Sequence, residues 1–156
     1  MVARGQAVSW EQKVKTALFR GSATGGGTSI EDNQRLHLAH LSAMWDANVL
    51  YNAANEIDQV PFLDAGVVSW NTRDKVIAGQ PLRRLQPDAR LKRLRRPRIE
   101  MYEQTKYRYL VYVEGHCAAA RYASMMALES VIIRVGACAG GGPGQGGGGG
   151  VELCNA

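Results

Sequence analysis

Apolar positions along the chain fall into two kinds of run. Residues 15–20, "KTALFR", and 106–113, "KYRYLVYV", are short, largely apolar or aromatic, and predict strands. In the second, Tyr107, Tyr109, Val111 and Val113 alternate with Arg108, Leu110 and Tyr112, so the two sets should face opposite sides of a sheet. "VIIRV", residues 131–135, predicts a third strand, and Gly66–Trp70 a shorter one. Helical spacing takes over elsewhere. Leu36, Ala39 and Ala43, with Leu38, Leu41 and Trp45, recur at three- and four-residue intervals inside residues 28–49. Thr28 and Glu31 stand at capping-box spacing and mark that helix's start. "CAAARYASMMALES", residues 117–130, is a second helix by propensity. "GQP" at 79–81 marks a turn. Strand, helix and strand over 106–135 make a β-α-β unit with parallel strands and a right-handed crossover, so the expected fold class is α/β.

Two junctions run from a strand through glycine into a helix, at 18–35 and 107–125. The first, "LFRGSATGGG", is an arginine followed by bare backbone. Ligands of α/β folds sit at the carboxyl ends of the strands, and glycine with free N–H groups at a helix start favours anions. Arg20, Arg35 and Arg121 add charge, so a phosphate or pyrophosphate group is expected. The competing reading is that Gly25–Gly27 form a flexible loop. No lysine lies in 21–28, which excludes a P-loop, and no G-x-S-x-G elbow is present. The candidates for acid–base work are Asp64, Asp74, Glu114 and His116. Asp64 and Asp74 read as surface or turn residues, whereas His116 directly follows a strand-end glycine.

Composition narrows the choices. The chain has 156 residues, one ordinary domain's worth. Of its net charge of +5, residues 83–98 carry eight basic residues and one acid; the remainder holds eleven basic and thirteen acidic residues, a balance of −2. That segment is either a solvated helix or loop, or a patch for polyanions. It lacks interleaved aromatics and any zinc or helix-turn-helix pattern, which argues against nucleic acid. Three cysteines and three histidines lack metal-ligand spacing; His37 and His40 pair without an HExxH, and no metal is expected. No run approaches the ~18–20 apolar residues of a membrane span, and the N-terminus has no signal-peptide core. The low-complexity run from Gly136 leads to the expectation of a glycine-rich disordered tail over 136–156.

Trp10, Lys13, Ala17, Phe19, Arg20, Gly21 and Ser22 stand in the order W-x-x-K-x-x-x-A-x-F-R-G-S. Lys106, Tyr107, Arg108 and Tyr109, then Gly115, Ala118, Ala119, Ala120 and Arg121, follow about a hundred residues later. Together these resemble the lipopolysaccharide-modifying, capsule-associated and Rumi-like protein O-glucosyltransferases (glycosyltransferase family 90), most closely an algal and large-virus branch. The resemblance covers residues 9–135. It implies an incomplete Rossmann-like half of a GT-B-type enzyme over 1–135, binding a UDP-sugar such as UDP-glucose or UDP-xylose. Inverting, metal-independent transfer to a protein or glycan acceptor is implied too. The implied donor-binding residues are Ser22, Arg35, His116, Cys117, Ala118, Ala119, Ala120 and Arg121. Arg35 and Arg121 would neutralise the departing diphosphate, and Lys106 and Tyr107 would support the sheet. The family's catalytic aspartate precedes the F-R-G-S motif in a stretch with no counterpart here. The expectation is therefore a fragment with the donor-side core and no catalytic residue of its own. Relatives in this family mostly work in the secretory pathway lumen, which is what the resemblance implies about location.

Overall fold

The computed structural model describes residues 8–46, 61–75, 83–115, 120–136 and 150–154. Strand β1 (Val14–Ser22) leads through the glycine loop to α1 (Gln34–Asp46) and β2 (Leu63–Ser69). A two-residue ribbon of β3 (Asp74–Lys75) and β4 (Arg83–Arg84) comes next, then the short helix α2 (Ala89–Lys92). A 3-10 turn at Met101–Lys106 feeds β5 (Tyr107–Val113), and α3 (Ala120–Met126) connects it to β6 (Val131–Gly136). The last strand is β7 (Gly150–Cys154).

Five strands form one sheet in the order β2-β1-β5-β6-β7. The first four run parallel and β7 is antiparallel to β6. The chain is thus α/β with a parallel central sheet, compatible with a Rossmann-like fold. The expected β-α-β unit is present, with Tyr109–Val113 registered on Val131–Val135.

Alternation along the strands separates the two faces. Ala17, Phe19, Ala65, Val111 and Val113 pack on the side of Leu38 from α1. Leu18, Leu110 and Ile132 pack on the other side with Met125 and Tyr122 of α3. Tyr107 departs from expectation. It joins Leu110 and Tyr112, because it is the junction residue leaving the 3-10 turn, before the regular pleat begins.

Other boundaries move for local reasons. Helix α1 starts six residues later than its apolar periodicity suggests, and Thr28–Glu31 is not its capping box. Asn33 caps it instead, its Oδ1 accepting from the N–H groups of Arg35 and Leu36 at 3.1 Å. Residues 150–154, read from composition as part of a disordered tail, extend the sheet, because Val-Glu-Leu-Cys after the glycine run is ordinary strand sequence. The turn expected at 79–81 lies outside the described residues.

The basic segment is an integrated part of the fold. Its Leu85, Leu91 and Leu94 are buried against Leu36, Ala39 and Val67. Its main chain runs beside β2, with the Val67 N–H donating to Leu94 O at 3.1 Å and the Arg96 N–H to Val67 O at 2.9 Å. Gly66 leaves room there for the Arg96 stem, which a Cβ would overlap.

Candidate functional site

Helix α1 carries the chain from β1 to one side, and α3 carries it from β5 to the other, so strand order reverses between β1 and β5. In open α/β sheets the crevice outside the carboxyl ends at such a reversal is where ligands sit. Here that crevice is built around Arg35. Its Nη1 donates to Ser22 O at 2.9 Å, its Nη2 to Val113 O at 2.6 Å, and its Nε to Glu114 O at 3.3 Å. A guanidinium has five N–H donors; three tie the ends of β1 and β5 together. Burial, and then the nearby charge of Arg121, lower its pKa. Arg35, expected as a phosphate ligand, is thus first a strut across the reversal point.

The glycine loop is neither loose nor an open cradle. Asn33, buried, reaches inward with its Nδ2 donating to the carbonyls of Thr24, Gly26 and Gly27 at 3.2, 2.8 and 3.3 Å. Gly25 and Gly27 have φ of 92° and 81°, backbone that side chains resist, and a Cβ at Gly27 would overlap the Asp32 carbonyl. The Thr28 and Ser29 N–H groups donate to Asp32 Oδ1 at 2.8 and 2.6 Å. An internal carboxylate already occupies that pair of donors, and Asn33 already satisfies the first turn of α1. Any anion bound here must be held chiefly by side chains.

Those side chains line a cleft of about 330 Å³ on the α3 face, with Arg20, Ser22, Arg98, Gln104 and Arg121 at its wall. The three arginines differ in their partners. Arg20 is buried, its Nη2 2.8 Å from both carboxylate oxygens of Asp64. Asp64 is thereby a strand residue in an ion pair, not the surface or turn residue expected. Asp74, in β3, is exposed and pairs with Arg84 at 3.0 Å. Arg98 pairs with Glu100 at 3.1 Å on the surface. Arg121 has no carboxylate partner among the described residues; its Nη2 meets only the Gln104 amide oxygen, at 3.4 Å. Burial, then the charge of Arg98, lower the Arg121 pKa.

Two further clefts adjoin. One of about 460 Å³ shares Ser22 with the arginine cleft and is lined by Ser69, Trp70, Asn71 and Arg73. It shares Thr24, Arg35 and Gly115 with a third, of about 270 Å³, that reaches Asp32, Gln34 and Glu114. The Ser22 hydroxyl lies 2.7 Å from that of Ser69. Of the expected donor residues, Ser22, Arg35 and Arg121 therefore collect at one rim. His116, Cys117, Ala118 and Ala119 lie outside the described residues, and Ala120 begins α3. Among the described residues no group of three or more His, Cys, Asp or Glu is placed to hold a metal ion, and no helix is long and apolar enough to cross a membrane.

Two buried lysines were invisible as structural residues in the sequence. Lys75 donates to Ala23 O at 2.8 Å beneath the glycine loop. Lys13 donates to Leu128 O, Glu129 O and Ser130 Oγ at 2.9, 2.7 and 3.0 Å, clasping the turn between α3 and β6. The motif residues thus divide by position. Trp10 packs edge-on to Tyr109 and under Arg108, 4.8 Å from its guanidinium, at the amino ends of the strands. Arg20 and Ser22 stand at the carboxyl ends.

Similar proteins occur in viruses. The chain is 32% identical over 127 residues to uncharacterized protein 035R of Invertebrate iridescent virus 3, covering 81% of this chain and 10% of that protein. Uncharacterized protein 179R of Invertebrate iridescent virus 6 is 31% identical over 127 residues, again 81% of this chain and 10% of the relative. Uncharacterized protein 027R of Frog virus 3 is 28% identical over 134 residues, 80% of this chain and 12% of the relative. The chain therefore spans about a tenth of the length of these relatives. No family model and no solved structure matches it.

Proposed function

We propose that this chain is the donor-binding half of a glycosyltransferase that takes a UDP-sugar. The observation that carries the proposal is Arg121: a partly buried guanidinium in a cleft at the strand-order reversal, with one neutral acceptor and no counter-charge among the described residues. A cation kept in that state gains most from an anionic ligand. The resemblance in F-R-G-S and in the Gly115–Arg121 stretch supplies the sugar nucleotide and the direction of the chemistry. Arg121 then stabilises negative charge on the departing diphosphate, Ser22 contributes a hydroxyl, and Arg35 holds the rim and adds its charge. The acceptor, protein or glycan, and the base that activates it belong to the remainder of such an enzyme.

The test is thermal unfolding with UDP and UDP-glucose. A ligand at a hundred times its Kd stabilises by about 2.7 kcal/mol, which raises Tm by roughly 5–10 °C for a chain of this size. Arg121→Ala is expected to remove the shift while leaving the unliganded Tm within a few degrees. A folded wild-type sample that shifts with neither ligand rejects the proposal.

One observation favours a second reading, a polyanion-binding surface. Arg84, Arg90 and Arg96 pair with Asp74, Glu31 and Asp46, and Arg98 with Glu100. Arg83, Lys92, Arg93 and Arg95 are exposed, and no ion pair engages them among the described residues. If those four contact phosphates, duplex DNA affinity should fall with salt at a log–log slope between about −3 and −4. Neutralising all four should flatten it; a slope near zero in the wild type removes this reading.

A further inference from the structure

We propose that the 270 Å³ pocket on the α1 side of Arg35 is a second subsite, reading the vicinal hydroxyls of a sugar ring through Asp32, Gln34, Thr24 and Glu114. This rests on the donor-site reading above; of the four, the sequence named only Glu114, and for acid–base work rather than for binding.

The lining decides the ligand class. Asp32 is held by two backbone N–H groups on Oδ1, and Glu114 by Arg134 Nη2 at 2.6 Å on Oε1. Each carboxylate is fixed and partly neutralised by bonds to one of its two oxygens. Carboxylate oxygens suit hydroxyl donors. The Gln34 amide and the Thr24 hydroxyl both donate and accept, matching a ring hydroxyl's dual character. A phosphate would meet two carboxylates at close range. A metal cation would meet Arg35 and Arg134, and only two carboxylates. Gly25, Gly26 and Gly115 leave bare backbone on the wall, open to a ring's close approach. The volume lies just below the ~300 Å³ at which pockets for whole drug-sized ligands begin, so it fits one ring and not a nucleotide.

Position supports the same answer. The pocket reaches the arginine cleft through the middle cleft, which borders both. A ligand whose diphosphate meets Arg121 therefore has a path for a polyhydroxylated end toward Glu114. Two rings of a UDP-sugar carry vicinal hydroxyls, the ribose and the transferred sugar.

Titration calorimetry with dUDP, UDP and UDP-glucose separates them. In the wild type, one step, UDP over dUDP or UDP-glucose over UDP, should show a gain of about tenfold in affinity, the effect of hydrogen bonds to charged acceptors. Glu114→Gln should reduce that gain to about twofold. Gln34→Ala, at an exposed position on α1, should reduce it in the same direction and covers the case where loss of the Arg134 partner disturbs folding. Gains that survive both substitutions overturn the subsite, as does a wild type that binds all three ligands equally. If the wild type binds none of them, the donor-site reading fails and this one with it.

Discussion

Replacing Arg35 with alanine is expected to cost about 4 kcal/mol of folding stability, since hydrogen bonds from a charged donor are worth about 1.5–3 kcal/mol each. Three carbonyls, those of Ser22, Val113 and Glu114, accept from this one guanidinium. They belong to the ends of two adjacent parallel strands, where the ladder has run out, and Ser22 O also accepts the Thr24 N–H at 2.7 Å. The loss should appear as a drop in Tm of roughly 8–16 °C and a lower denaturant midpoint with unchanged slope. Arg35→Lys should recover less than half, because one ammonium on a shorter reach does not span three acceptors in a plane. A loss below about 1 kcal/mol, the worth of an ordinary surface contact, would show that the strut is dispensable. The chemistry of the rim follows the same residue: UDP affinity should weaken in Arg35→Ala even where no donor of Arg35 touches the ligand.

Lys13→Met is expected to cost about 3 kcal/mol, the range for removing one partner of a buried charged network. Methionine keeps the length of the stem, so packing is largely retained and the measurement isolates the ammonium. Lys13 is 4% exposed and donates to three acceptors in 128–130. Ser130 Oγ keeps its reach to Tyr107 O at 2.8 Å and Leu128 O at 3.2 Å, but Glu129 O loses the ammonium. Glu129 sits at φ 51°, a conformation a glutamate holds only when its surroundings impose it. Equilibrium urea unfolding checks the figure. Hydrogen exchange adds a directional test: protection should fall first in α3 and β6, with β1 and β2 less affected. A uniform loss across the sheet would contradict the clasp.

The parallel core was legible because its signals are local. "KYRYLVYV" and "VIIRV" are apolar or aromatic at every core position, and the propensity of the alanine-rich stretch between them needs no tertiary help. What escaped depends on contacts distant in sequence. Lys13 meets residues 115–117 positions away, and Lys75 meets Ala23 across 52. A lysine beside an aspartate reads as surface unless its destination is known. Asp64 looked exposed because Arg20, its counter-ion, lies on another strand. Asn33 and Thr28 both cap helices well; only the inward course of the glycine loop decides for Asn33, whose amide is needed at three carbonyls. At the site, the sequence pointed to Ser22, Arg35 and Arg121, and these do share a rim. It named Glu114 only as an acid–base candidate and left out Arg98 and Gln104, which arrive from a charged run and a 3-10 turn that carry no motif.

The strip of main chain beside β2 has a consequence for how copies of this protein meet. A parallel sheet ending in an open strand offers its unpaired N–H and C=O groups to any similar chain, the route by which strands add to one another in aggregates. Here both polar groups of Val67 are taken by Leu94 and Arg96, and the residues facing outward beyond them are Lys92, Arg93 and Arg95. A second molecule approaching there meets like charge and, at Val67, main-chain groups already paired. The stretch that looked like a hook for polyanions is thus also a guard rail, keeping this flank of the sheet from growing by self-association at high concentration.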